Sequence, residues 1–189
     1  MNLILASQSP RRKQLLSSLG YRFIIDPSKS EEIFDITLPI DEALQKVAFE
    51  KARETQKRHP EDVILAADTI VLFENVILGK PENNEEAFNT LKQLSGNCHE
   101  VKTGIAVLYR DHIALKTVTS TVCFRNLDDA DIQAYVRTGL PLDKAGSYGI
   151  QEVNFASDVR GSYTNVIGLP LHVTARMLQD VQNDPNVKF

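Results

Sequence analysis

Ser7-Gln8-Ser9-Pro10-Arg11-Arg12-Lys13 follows directly on a short apolar run at residues 3–6, which reads as a buried strand. Ser9 suits a helix N-cap and Pro10 the first helical position, so the strand delivers the chain to a helix start. Unpaired backbone N–H groups and the helix dipole favour an anion at such a point. The hydroxyls of Ser7 and Ser9 and the cations Arg11, Arg12 and Lys13 stand at that same place. Positive side chains at a helix N-terminus are unfavourable without a negative partner. Two readings follow, a solvated first turn or a phosphate site, and the strand with its Ser-Pro cap favours the second. Neither a Walker loop, G-x-x-x-x-G-K-[ST], nor a dinucleotide fingerprint, G-x-G-x-x-G, occurs in the chain.

Asp68-Thr69 interrupts an apolar stretch between Ile64-Leu65-Ala66-Ala67 and Ile70-Val71-Leu72. A carboxylate within such a stretch is costly to bury unless it is paired or binds a cation. Asp68 is expected at the carboxyl end of a strand, where α/β sheets place ligands. The competing reading is a structural Asp capping a turn between two strands. A divalent ion on Asp68 would bridge phosphate oxygens anchored by Arg11 and Arg12. Glu31-Glu32 would supply a second carboxylate, or are solvated loop charges. Lys80, in Leu78-Gly79-Lys80-Pro81, and Lys51, on a long helix, are unremarkable taken alone.

A third cluster is Asp143-Lys144-Ala145-Gly146-Ser147-Tyr148-Gly149-Ile150-Gln151. Two glycines around Ser147-Tyr148 mark a loop whose backbone passes close to something. The Gln151 amide pairs a donor with an acceptor, as the edge of a nucleobase requires. Uracil and thymine present N3–H beside a carbonyl; a rotated amide would suit cytosine, so neighbours must fix its orientation. Gly161-Ser162-Tyr163-Thr164-Asn165 reads as a hairpin turn. His59, His99, His112 and His172 lack the spacing of zinc ligands and read as structural or surface residues. With no Ser-His or Cys-His pair visible, the chemistry points away from acyl transfer and towards metal-assisted work on phosphates.

The elements that must position these groups alternate between strand and helix. The first helix ends at Gly20, and a strand spans residues 22–25. A long helix over 40–57 turns Leu44, Val47, Ala48 and Ala52 to one apolar face. A buried strand is predicted at 63–67, with a hairpin of 70–73 and 76–78 around Glu74-Asn75. Helices follow at 84–94, 128–137 and 171–181, with a long hairpin of 101–109 and 113–124 between the first two. The expectation is an α/β fold with a mixed sheet and a single domain over residues 1–189. A net charge of −4, from 21 basic and 25 acidic residues, argues against a nucleic-acid coat or an anionic-membrane binder. No stretch has the roughly 18 uncharged apolar residues of a membrane span. The basic residues follow the first apolar run rather than precede it, unlike a secretory signal. Cys98 and Cys123 read as reduced thiols buried in strands, and the default compartment is the cytoplasm.

Taken in order, L-A-S-Q-S-P-R-R, A-A-D-T-I-V, L-G-K-P, L-S-G, D-K-A-G-S-Y-G-I-Q and N-V-I-G-L-P resemble the Maf nucleotide pyrophosphatases over nearly the whole chain. The resemblance implies an elongated α/β fold with a central mixed β-sheet flanked by helices and two lobes with a cleft, similar to inosine triphosphate pyrophosphatases. It implies hydrolysis of a nucleoside triphosphate to the monophosphate and pyrophosphate with a divalent cation, Mg²⁺ or in its place Mn²⁺ or Co²⁺. It makes Asp68 the proton-accepting catalytic residue, and gives phosphate and metal roles to Ser7, Arg11, Arg12, Glu32, Lys51 and Lys80. Thr69 and Gln151, with Arg11, match the branch that prefers dTTP and UTP. A branch directed at methylated guanosine triphosphate has S-D-Q in place of D-T and fits worse. This chain departs from the pattern at Ser147, where Ala is common, and at Glu152-Val153-Asn154, where glycine is frequent.

The expected reaction is attack by water on the α-phosphate, with Asp68 and Glu32 on the metal and Arg11, Arg12 and Lys80 neutralising charge. Whether Asp68 acts chiefly as base or as metal ligand stays open. The expected partner is a small nucleoside triphosphate, with no nucleic acid and no membrane, and a homodimer is compatible with the family. The alternative is a non-catalytic nucleotide-binding regulator of cell division, against which the full set of carboxylates and cations argues.

Overall fold

The computed structural model describes residues 1–185 and 187–189. In chain order the elements are β1 (Leu3–Leu5), α1 (Pro10–Ser18), β2 (Phe23–Ile25), α2 (Ile40–Gln56), β3 (Val63–Phe73), β4 (Val76–Leu78), α3 (Asn84–Leu94), β5 (Cys98–Tyr109), β6 (His112–Phe124), α4 (Asp129–Val136), β7 (Ala156–Arg160), α5 (Tyr163–Ile167) and α6 (Leu171–Gln182). The strands pair in the order β2-β1-β3-β5-β6-β7, with β4 on β3. β1 runs parallel to β2 and β3, while β3–β4 and β6–β7 are antiparallel. The α/β class and mixed sheet expected from the apolar patterning are therefore present.

Two compact units make up the chain. The first comprises residues 1–68, 103–118 and 168–189; the second comprises 69–102 and 119–167. In the first, residues 63–67 of β3 are all buried, as expected of a strand covered on both faces. Leu3, Leu5, Val63, Leu65, Ile105 and Leu178 belong to one core cluster there, and Ile4, Ala48, Ile64 and Ala106 to another. The buried face of α2 reads Ala43, Leu44, Val47, Ala48, Lys51, Ala52, Thr55, the spacing of a single helical stripe. That helix lies against β5 at Gly104, where an added Cβ would stand 2.7 Å from the Leu44 carbonyl oxygen. Gly104→Ala is therefore expected to destabilise the protein by about 1–3 kcal/mol, since backbone rather than a flexible side chain blocks the methyl group. Denaturant unfolding of the variant measures this, and an unchanged midpoint would mean the helix shifts freely.

The second unit has its own core of Val71, Leu91, Leu94, Val101, Phe124, Ile132, Tyr148 and neighbours. Glu74 and Asn75 both adopt positive φ, 49° and 64°, the backbone of a tight primed hairpin turn between β3 and β4. His99 is buried with Nε2 2.7 Å from the Tyr148 hydroxyl, and burial pulls its pKa down to about 4. It is a neutral core histidine, in keeping with its structural reading.

Three sequence expectations are corrected. Residues 63–67 and 70–73 are one continuous strand, so Asp68 sits within β3 rather than at a strand end or in a turn. Residues 63–65 pair with β1 and 71–73 with β4, so the polar pair falls where β3 passes from one partner to the other and not at a break in the strand. The segment 161–165 is not a hairpin turn: β7 precedes it, and Tyr163–Ile167 is a helical turn. Cys98 and Cys123 are not reduced thiols but a disulfide, and Cys98 is exposed. The two are equidistant from the Arg110-Asp111 turn of the β5–β6 hairpin. Phe124 N–H donates to Asn97 O at 2.9 Å, so the hairpin register carries to its open end and sets the cysteines opposite each other, Cα atoms 3.9 Å apart.

Candidate active site

Ser7 leaves the end of β1 and is buried. Its Oγ accepts from Ser9 N–H at 3.2 Å and from Arg12 Nη1 at 3.3 Å. Ser9 caps α1, its Oγ accepting from Arg12 N–H at 3.4 Å, and Pro10 opens the helix as anticipated. The Arg12 guanidinium is further held by its Nε, which donates to Gly168 O at 2.9 Å. Gly168 has φ 125°, a backbone conformation open to glycine, so the N-V-I-G-L-P segment turns its carbonyl towards Arg12. Burial lowers the Arg12 pKa from its ordinary value; the Asp68 carboxylate opposes that effect, Arg11 adds to it, and Glu32 opposes it. These four groups share one electrostatic neighbourhood.

Lys51 joins the carboxylates. Its Nζ lies 2.6 Å from Asp68 Oδ1 and 2.8 Å from Glu32 Oε1. Because Lys51 belongs to the apolar stripe of α2, its ammonium is brought inward and is only 10% accessible. A buried ammonium requires an anionic partner, and Asp68 meets that need from β3. Glu32 reaches the same nitrogen from the loop between β2 and α2. That loop is tied back to α2 by Lys29 N–H on Glu54 Oε2 at 2.9 Å and by Lys46 Nζ on Asp35 Oδ2 at 2.9 Å. Asp68 uses Oδ1 for Lys51, and its Oδ2 carries no hydrogen bond among the described residues.

The first unit thus brings together Ser7, Arg11, Arg12, Glu32, Lys51 and Asp68, six of the residues anticipated from sequence. Three cations face two carboxylates, an arrangement that suits a polyanion arriving with its own cation. Among the described residues no group of three or more His, Cys, Asp or Glu side chains could hold a metal unaided. The point on which the two carboxylates converge is held by the Lys51 ammonium, but two carboxylate side chains are the hard oxygen donors that Mg²⁺ takes alongside water and substrate phosphates.

Thr69, Lys80 and Gln151 belong to the second unit. Lys80 and Gln151 are exposed, and Thr69 is half-buried beside Asp68 in β3. The loop before Gln151 is tied to the strand end before Lys80: Gly146 N–H donates to Gly79 O at 3.1 Å, and its α-carbon packs against Val71. Sequence reasoning did not assign the Gly168 carbonyl under Arg12, nor the residues that hold the Gln151 turn. Spacing alone left Lys51 unremarkable and only the family resemblance gave it a role, although Lys51 stands three residues from Ala48 and seven from Leu44 on the stripe already recognised.

A profile of the family described as Maf-like protein matches residues 2–181. A dTTP/UTP pyrophosphatase of Halalkalibacterium halodurans is 47% identical over 179 residues, 94% of each chain. Another, from Thermococcus kodakarensis, is 45% identical over 174 residues, covering 90% of this chain and 92% of its own. Among solved structures, the Staphylococcus aureus Ham1 protein superposes with a TM-score of 0.54 at 14% identity over 95% of this chain and 99% of that one, a likeness of fold. No helix among the described residues is long and apolar enough to cross a membrane. The capped basic helix start, the Lys51-bridged carboxylates and a profile match across almost the entire length agree: the chain belongs to the Maf-like protein family.

Proposed function

We propose that this chain hydrolyses nucleoside triphosphates, dTTP and UTP foremost, to the monophosphate and pyrophosphate. The observation that carries the reading is the convergence of Asp68 and Glu32 on Lys51, in the same electrostatic neighbourhood as Arg11 and Arg12 at the start of α1. The relatives' shared description as dTTP/UTP pyrophosphatases supports the choice of substrate. Water attacks the α-phosphorus, the bond from that phosphorus to the α–β bridging oxygen breaks, and pyrophosphate leaves. Asp68 receives the water's proton, its Oδ2 being the oxygen not engaged by Lys51. Lys51 holds Asp68 in place and offsets the cost of keeping its charge out of water. Arg12, fixed by Ser7 and Gly168, and Arg11 beside it neutralise phosphate charge as it develops. A divalent cation, Mg²⁺ in the first instance, would be held by Asp68 and Glu32 and would polarise the phosphates. The family resemblance, rather than geometry, assigns Lys80 to the phosphates and Thr69 and Gln151 to the base. The cytoplasmic setting expected from sequence rests on the proposed triphosphate substrate alone, since the disulfide removes the thiol-based argument for it.

Incubation with dTTP, UTP, CTP and GTP in the presence of Mg²⁺, followed by quantitation of products, tests this. Equimolar monophosphate and pyrophosphate, with dTTP and UTP preferred, is the expected result. Tight nucleotide binding without turnover would instead establish the regulator reading, and release of orthophosphate would place cleavage at another bond.

A further inference from the structure

The turn that carries Gln151 is held by a closed set of bonds inside the second unit. Glu152 N–H donates to Gly149 O at 2.9 Å, making Ile150 and Gln151 the central residues of a β-turn. Both ends of that turn meet on one phenol. Gly149 N–H donates to the Tyr135 hydroxyl oxygen at 3.0 Å, and the Tyr135 O–H donates to Glu152 Oε2 at 2.6 Å. The other carboxylate oxygen, Oε1, lies 3.1 Å from Lys144 Nζ. Lys144 is buried and also donates to Leu140 O at 2.5 Å and Asp143 Oδ1 at 2.7 Å.

Glu152 is no ordinary surface charge. Its side chain is only 20% accessible although the residue lies at the surface. Gly149 records how close the parts are: a Cβ there would stand 2.7 Å from Glu152 Cδ and 2.9 Å from Lys144 Cε. Ile150, one residue away, is buried in the second core with Tyr148. Gln151 is the contrast. It is exposed at the apex of this clamped turn, and its amide makes no hydrogen bond among the described residues. Removing the Glu152 carboxylate would leave the Tyr135 hydroxyl without its acceptor and Lys144, among the described residues, with only the exposed Asp143 as counter-ion.

We infer that Glu152 is a positioning residue for base selection: gripped by Tyr135 and Lys144, its carboxylate locks the turn that presents the Gln151 amide. This rests on the assignment of Gln151 to the pyrimidine. A locked turn presents the amide already ordered. A loosened one must be ordered by the nucleotide itself, which weakens binding of a base that pairs with Gln151. Cytosine, which the amide suits only when rotated out of the locked orientation, does not lose in the same way. Loosening therefore compresses discrimination and acts through KM rather than kcat.

The test measures kcat and KM for UTP and CTP in the wild type, Glu152→Ala, Glu152→Gln, Tyr135→Phe and Gln151→Ala. In Glu152→Ala the UTP:CTP ratio of kcat/KM is expected to fall by about tenfold, through KM for UTP, the scale of ordering one or two side chains on binding. Glu152→Gln, which keeps an acceptor and the same length, should restore the ratio to within about threefold of wild type. Tyr135→Phe removes the hydroxyl from the opposite side and should compress the ratio as well, which covers the case of an alanine variant that does not fold. If Gln151→Ala compresses the ratio while Glu152→Ala and Tyr135→Phe leave it intact, the positioning role is overturned and base selection by Gln151 stands. If Gln151→Ala leaves the ratio intact, the base assignment fails and the positioning role falls with it.

Discussion

Asp68→Asn is expected to reduce kcat for dTTP and UTP by about a thousandfold, within the range for loss of a positioned general base. Asn has the same shape, so β3 and its packing survive, and Lys51 still has Glu32 as a partner at 2.8 Å. What disappears is the proposed proton acceptor at Oδ2 and half of the carboxylate pair proposed to hold a divalent cation. The loss should fall on kcat, because Arg11 and Arg12, the proposed phosphate contacts, are untouched. Steady-state pyrophosphate release with UTP, at several Mg²⁺ concentrations, separates the two contributions. A deficit that vanishes at high Mg²⁺ would assign Asp68 to the metal alone; a deficit independent of Mg²⁺ assigns it to the proton. Retention of more than about a tenth of kcat would remove Asp68 from the base role.

The second large effect is expected from Arg12→Lys, which keeps the charge and loses the fork. One guanidinium donates through Nε to Gly168 O and through Nη1 to Ser7 Oγ, and that double hold sets its direction. A lysine ammonium is a strongly hydrated point charge that cannot reproduce both bonds while facing a phosphate. It would also have to be desolvated at a position where burial already works against the Arg12 charge. kcat/KM is expected to fall by about a hundredfold or more, as when an oriented cation is lost from phosphoryl-transfer chemistry. Comparing Arg12→Lys with Arg12→Ala distinguishes charge from orientation. If lysine preserves activity within a few-fold while alanine does not, only the charge matters and the Gly168 contact is structural.

Much of the fold was legible because its signals are local. Ser9-Pro10 announced the start of α1, the spacing of Leu44, Val47, Ala48 and Ala52 announced the buried face of α2, and Glu74-Asn75 announced a hairpin. The errors have non-local causes. Asp68-Thr69 looked like a break because two polar residues inside an apolar run usually end a strand. They remain in β3, a strand that pairs with β1 at residues 63–65, with β4 at 71–73, and with β5 as its other neighbour in the sheet. Ser162–Thr164 hydroxyl contacts and Asn165 Nδ2 on Val101 O at 2.9 Å organise a helical turn where local composition suggested a hairpin. The Cys98–Cys123 disulfide was hidden by 25 residues of separation and because the predicted first strand of the hairpin began at residue 101, short of Cys98.

The net charge, the order of the motifs and the basic, capped start of α1 are properties of the chain itself, and they pointed to the family and to a small anionic ligand. They depend on residue type and short spacing, which need no folding to be read. Tertiary structure alone decided how the charges are matched. Lys51 becomes an ion-pair partner of Asp68 and Glu32 only because packing turns one face of α2 inward. Arg12 acquires its direction from Ser7 together with Gly168, a residue 156 positions away. Glu152 becomes part of a clamp only where Tyr135 and Lys144 close on it. Each depends on distances between residues far apart in the chain, and burial gives those distances their energetic weight, because an unpartnered charge out of water is too costly to keep.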